Sequence, residues 1–361
     1  MKMKHLIGAV MLGAAIAAAA PAAARAEGQQ GSQEAETRAF GGRTGAEAGS
    51  QENGREAQAA GQEPETGEQQ GSQAAEAWAA GGQESGRETE SKRSRLIMLS
   101  GVEKAQMLSV IICSENGSLV VVDGGWESDG EKLLETIKEY GGKVDAWLLT
   151  HPHSDHAGAL CYILQNKRDE ITIDNIYCSL ARSQWYWEVS PEDGPMVDAL
   201  MHELSTLPEG VVHDQVGKDF ATDIDNLHIT ALNNRYQLSY DPVNNSSMVY
   251  MVDTGKEKIL FLGDLGYVGG QFLVKDAAGK LKADIVQMAH HGQNGVDKEV
   301  YRAAAPRVCL WPTPQWLWDN DNGGGYDSGS WRTIETRGWM EELGVEQNYS
   351  IKDGDIMLLL K

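Results

Sequence analysis

Thr150-His151-Pro152-His153-Ser154-Asp155-His156 is the stretch that decides how this chain is read. Three imidazoles and one carboxylate within six positions bring enough metal donors into one loop for parts of two coordination spheres. Neutral imidazole and carboxylate suit zinc, iron or manganese. Alternate residues of an extended loop point the same way, so His151 and His153 can serve one ion while Asp155 and His156 turn towards a second. A chance histidine cluster or a pH-sensing patch is the competing reading. The run Val144-Asp145-Ala146-Trp147-Leu148-Leu149 leads in as a buried strand, and Ala157-Gly158-Ala159-Leu160 opens a helix. The donors therefore stand where a strand ends and a helix begins.

Three further segments share that placement. Val121-Val122-Asp123-Gly124-Gly125 ends a strand in an aspartate, expected to orient the histidine loop by hydrogen bonds rather than to bind metal. Ile259-Leu260-Phe261-Leu262-Gly263-Asp264 puts a carboxylate at a strand end, where it can bridge two cations. Alone, Asp264 would read as a turn residue. Met288-Ala289-His290-His291-Gly292 supplies two more imidazoles. One of them completes a coordination sphere, and its neighbour ligates too or grips a substrate oxygen.

In this order the four segments resemble the metallo-β-lactamase-fold hydrolases over about residues 95–295. The resemblance implies an α+β fold, a four-layer αββα sandwich with two divalent metals at one edge, usually zinc, with manganese or iron as alternatives. By position it assigns His151 and His153 to one site and Asp155 and His156 to the other. Asp264 would bridge them, with His290 or His291 as the last protein ligand. Asp155 would also move a proton in catalysis, and His290 would steady developing charge. Most members carry another histidine between the loop and the bridging aspartate. His202, His213 and His228 are available here, none in an equivalent context. The stretch Asn244-Asn245-Ser246-Ser247-Met248-Val249-Tyr250 is instead similar to a narrower branch, which includes the metallohydrolase domain of competence (DNA-uptake) proteins and secreted phosphorylcholine esterases.

Around these motifs, strands are expected at 96–99, 109–113, 119–122, 227–232, 248–252, 259–262, 285–289 and 356–360, with an amphipathic helix over 131–140. Mixed strands and helices fit a layered sandwich better than a doubly wound sheet. Trp147 and Trp339 read as core. Trp316 and Trp318 stand among Pro314, Asp319, Asn320, Asp321 and three glycines, which is loop chemistry; with Trp185 they are candidate substrate-binding rings, against the alternative of packing. A ring over a quaternary ammonium contributes roughly 0.5–2 kcal/mol.

Composition sets the outer bounds. Residues 1–26 carry two early lysines, an Ala-rich apolar stretch short of the roughly 20 residues a span needs, and Ala24-Arg25-Ala26, the pattern of a secretory signal peptide. Residues 27–92 are built mainly from Gly, Gln, Glu, Ala and Ser, with Phe40 and Trp78 the only large apolar residues, too polar to form a core, and are expected to be a disordered linker. Residues 93–361 form the hydrolase domain. They hold 40 acidic against 23 basic residues, which makes nucleic acid a weak candidate partner. Four dispersed cysteines read as buried thiols.

The expectation is thus an exported, secreted or wall-associated metal-dependent hydrolase, with no membrane span left after signal cleavage. Its substrate would be a phosphodiester in a small molecule or cell-surface glycopolymer, attacked by a metal-bound hydroxide. Hydrolysis of a lactone, thioester or β-lactam, and a wall-tethered binding protein with a vestigial metal site, are the alternatives.

Overall fold

The computed structural model describes residues 93–361; the expected signal peptide and linker lie outside the described residues. Two seven-stranded sheets face each other. The first runs Ile356–Leu359, Arg95–Met98, Ser109–Cys113, Leu119–Asp123, Ala146–Leu148, Ile176–Tyr177, Val212–His213. The second runs Gln347–Ser350, Val308–Trp311, Ile285–Gln287, Lys258–Phe261, Tyr250–Asp253, Leu227–Ala231, Ala221–Ile224. Each sheet is antiparallel through four strands and parallel through the rest.

Period-two alternation sorts the strand side chains into layers. Leu96, Val110, Ile112, Val120 and Leu148 point inward to meet Ile229, Tyr250, Val252, Phe261 and Leu310 of the opposite sheet. On the outer face of the first sheet, Ile111, Val121 and Trp147 pack under Leu133 and Ile137 of the helix Gly130–Glu139 and Leu160 and Ile163 of Ser154–Asn166. Leu260, Val286, Cys309 and Trp311 do the same under Leu273, Val300, Tyr301 and Met340. Three buried apolar layers between four structural ones make the αββα sandwich.

Most expected elements are present within a residue or two. The 144–149 run is divided: Lys143–Val144 pairs with Thr172–Ile173 in a separate two-stranded sheet, and Ala146–Leu148 joins the main one. Asp145 causes the break, since its carboxylate accepts from Leu119 N (2.9 Å) and its own amide donates back to Leu119 O (2.9 Å). Trp147 is fully buried and Trp339 nearly so. All four cysteines are buried and unpaired. Among the described residues, no helix is long and apolar enough to cross a membrane.

Candidate metal centre

The site lies where strands of both sheets end. Asp123 closes its strand with φ +53° and is wholly buried. One carboxylate oxygen accepts from Thr150 N (2.8 Å); the other accepts from Thr150 Oγ1 (2.7 Å) and His156 Nδ1 (2.7 Å). Both oxygens are thus committed to holding the histidine loop, and His156 is left with Nε2 facing inward. His151 Nδ1 lies 3.1 Å from Thr150 Oγ1, while its Nε2 comes within 3.0 Å of His153 Nδ1. His153 Nε2 sits 3.3 Å from Asp193, which also accepts from Ser190 Oγ (2.5 Å).

His153 is extended, and the helix Ser154–Asn166 starts immediately after it, placing Asp155 and His156 in the first turn. Gly158 lets this helix lie against the preceding loop: a Cβ there would come within 2.5 Å of Glu127 N and 2.8 Å of the Trp126 carbonyl carbon. In the second sheet, Gly263 adopts φ +54° with Thr150 alongside, where a Cβ would meet Thr150 at 2.9 Å. Buried Gln287 ties the two loops of this sheet together. Its Oε1 accepts from Leu262 N and Gly263 N (2.8 and 2.9 Å), and its Nε2 donates to Gly263 O and Met288 O (3.0 and 2.7 Å).

His290 and His291 both take left-handed backbone, φ +50° and +54°, which costs on the order of 1–3 kcal/mol each and turns two adjacent imidazoles towards one site. His291 is buried, and its Nδ1 is 3.1 Å from Pro312 O. Its Nε2 lies 3.1 Å from Asp155 and 3.2 Å from Asp264. His290 stands further out, with Nε2 3.9 Å from Asp264 and 3.4 Å from Asn244 Nδ2.

The donors fall into two overlapping sets that could each hold an ion, one of His151, His156 and Asp264, the other of Asp155, His156 and His291. His156 Nε2 and Asp264 Oδ1 face each other at 3.1 Å and His291 Nε2 faces two carboxylates, yet none of these buried atoms, nor His290 Nδ1, has the alignment of a hydrogen bond. Unpaired buried polar atoms are costly. Four of them in one imidazole–carboxylate cluster is the chemistry of a divalent metal site.

Charge points the same way. Burial disfavours protonation of His156 and His291, yet the surrounding carboxylates prevail: Asp264, Asp155 and Asp123 hold His156 well above its usual value, and Asp264 and Asp155 raise His291 to about 9. His151 is driven well below its usual value by burial and by its histidine neighbours. Burial would also protonate Asp264, but His156, His291 and His290 hold it well below the usual carboxylate range. Three buried carboxylates thus demand compensating positive charge, which metal cations would deliver in place of protons.

None of the alternative histidines reaches the site. His202 belongs to the helix Gly194–Ser205, His213 stacks on Tyr177 (4.6 Å between centroids), and His228 pairs with Asp223. Asn244, from the Asn244–Tyr250 stretch, is the group found beside His290.

A cavity of about 350 Å³ opens over the donors, lined by His153, Asp155, Asp264, His290 and His291 together with Gln106, Trp126, Ser154, Asp193 and Gln293. The candidate rings Trp185, Trp316 and Trp318 are not among these residues. Trp185 packs edge-on to Tyr186, Trp316 against Trp331, and Trp318 against Trp311 under the Arg337 guanidinium. All three are half-buried. The ring that faces the metal donors is Trp126, whose Nε1 donates to Gln106 O (2.7 Å). Its one local signal is its place three residues after Asp123.

An imidazole–carboxylate cluster at the edge of an αββα sandwich defines a metal-dependent hydrolase. The chain belongs to the Metallo-beta-lactamase superfamily, which matches residues 105–307. Similar solved structures include the metallo-beta-lactamase fold protein YhfI from Bacillus subtilis (12% identity, 74% of this chain and 99% of that one, TM-score 0.47). The diiron β-hydroxylase CmlA from Streptomyces venezuelae is another (13%, 74% and 54%, TM-score 0.47), as is unliganded yeast PDE1 (12%, 74% and 100%, TM-score 0.46). No curated protein matches the chain.

Proposed function

We propose that this protein is an exported metal-dependent phosphodiesterase. His156 being shared by the two donor sets, we assign it with Asp155 and His291 to one divalent ion, and His151 and Asp264 to the other, where His153, 3.0 Å from His151, would be a further ligand. Bound there, the ions would supply Lewis acidity and bring the pKa of water to about 7.

The chain's own residues supply the remainder. Asp123 and Asp193 orient the imidazoles of His156 and His153. Asp155 is placed to hold a proton, and His290 faces the cavity where it can donate to a phosphoryl oxygen. Gln106, Gln293 and Ser154 offer further polar contacts.

The observation that carries the phosphodiester reading is the cavity wall. Of its ten residues only Trp126 presents a large apolar surface. An acyl chain or a lactone ring gains its binding from apolar walls, whereas a charged phosphoryl group gains from metals and N–H donors. The test is hydrolysis of bis-p-nitrophenyl phosphate, with nitrocefin and an acyl-homoserine lactone as competing substrates. Diester turnover that stops with chelator supports the reading. Rapid turnover of either carbonyl substrate instead would replace it. Export follows from residues 1–26 and predicts a mature protein beginning at Glu27.

A further inference from the structure

A second, larger cavity of about 790 Å³ lies on the outer face of the second sheet. Its floor comes from the antiparallel strands, where Thr230 pairs with Met251 and His228 with Asp253, so each pair shares a face. Into it project Lys218, Lys256, Lys258, Lys280 and Lys282, from three separate segments. These are five of only 23 basic residues in 93–361, against 40 acidic ones.

Two of the five lysines are paired and three are not. Lys258 pairs with Asp253 (3.2 Å) and Lys256 with Glu115 (3.2 Å). Among the described residues, Lys218, Lys280 and Lys282 make no ion pair. Two of the three aspartates lining the cavity are engaged by backbone amides, Asp253 by Gly255 N (2.8 Å) and Asp284 by Lys258 N (2.9 Å). Five lysines stand against three aspartates (Asp219, Asp253 and Asp284) in the lining, so the groove keeps an excess of positive charge on an acidic molecule.

We propose that this groove binds a linear phosphate-bearing polyanion. Ammonium groups act as point charges for phosphate without demanding a particular geometry, and several along one groove suit a run of phosphates better than a single one. The groove is remote from the metal centre. The two cavities share no lining residue, and the strand Lys258–Phe261, about 10 Å long at roughly 3.3 Å per residue, leads from one towards the other. A substrate reaching both would be a polymer of several repeats. Binding at the groove does not depend on the phosphodiesterase reading.

The test uses the full chain in excess chelator, so that the metal centre cannot hold phosphate, with long-chain sodium polyphosphate as probe and calorimetric titration as readout. Three phosphate contacts predict a slope of log K against log salt of about −2, so doubling the salt weakens binding about fourfold. Lys218→Gln/Lys280→Gln/Lys282→Gln should weaken binding at least tenfold, with an unchanged melting curve and unchanged diester turnover by metal-loaded enzyme. The proposal is overturned if the parent chain does not bind at 50 mM salt or if the triple variant binds equally well. Equal affinity for polyaspartate would overturn the assignment to phosphate.

Discussion

Asp123 accepts three hydrogen bonds and keeps no oxygen free for a cation, so its contribution is to aim His156 and hold Thr150. Asp123→Asn should lower metal affinity by about 10–100-fold, the usual cost of losing such a partner, as read by competition with a chromophoric chelator. The two adjacent histidines divide differently. His291 has Nε2 between two carboxylates and its other nitrogen at a carbonyl, whereas His290 stands at the cavity edge. His291→Ala should therefore lose one equivalent of metal. His290→Ala should keep both and lose about 10²–10³ in kcat, the scale of one oxyanion donor. Metal analysis beside steady-state kinetics separates them, and loss of metal from His290→Ala alone would reverse the roles. The choice between His290 and His291 was not legible in the sequence, because it depends on two consecutive left-handed residues that nothing in Ala289-His290-His291-Gly292 requires. Trp126 is not legible as a site residue from sequence because its neighbours in the cavity come from segments distant in the chain.

The helix Ser154–Asn166 carries two of the donors and can lie where it does only because residue 158 has no side chain. Gly158→Ala drives a methyl into the Trp126–Glu127 backbone and should cost about 1–3 kcal/mol, as overpacking does, measured by urea unfolding. The same helix shift should weaken metal binding, whereas a helix that moved freely would show neither effect. Elements with strong alternation or continuous apolar runs, such as Ser109–Cys113 and Leu119–Asp123, were readable as strands. Ile176–Tyr177 and Val212–His213 are two residues long, and Ala221–Ile224 and Gln347–Ser350 are polar edge strands; none carries a periodic signal. The surroundings of the tryptophans are hidden for a related reason. Pro, Asp and Gly neighbours describe the backbone of Trp316 and Trp318 but not the rings that cover them.

At the scale of the whole molecule, burial raises the Cys161 thiol to about 11 and those of Cys178 and Cys309 to about 12, against an ordinary 9.0. The unfolded chain therefore releases these protons first. Stability from this source is complete below pH 9 and is lost as pH rises from 9 towards 12. Urea midpoints should fall steadily above pH 9, and no thiol should react with Ellman's reagent at pH 8 until the protein unfolds. Equal midpoints at pH 8 and pH 10 would contradict this. The overall architecture was readable because four of the donors share one loop between an apolar strand and a helix, and Asp264 and His290-His291 each follow an apolar strand. The proposed activity has this edge hold two divalent ions and act on phosphodiesters. Its most direct test follows bis-p-nitrophenyl phosphate turnover against measured metal content as ions are stripped and returned. Two ions per chain are expected, with activity lost on chelation and restored on reloading. Protein carrying both ions and yet inert towards the diester would contradict it.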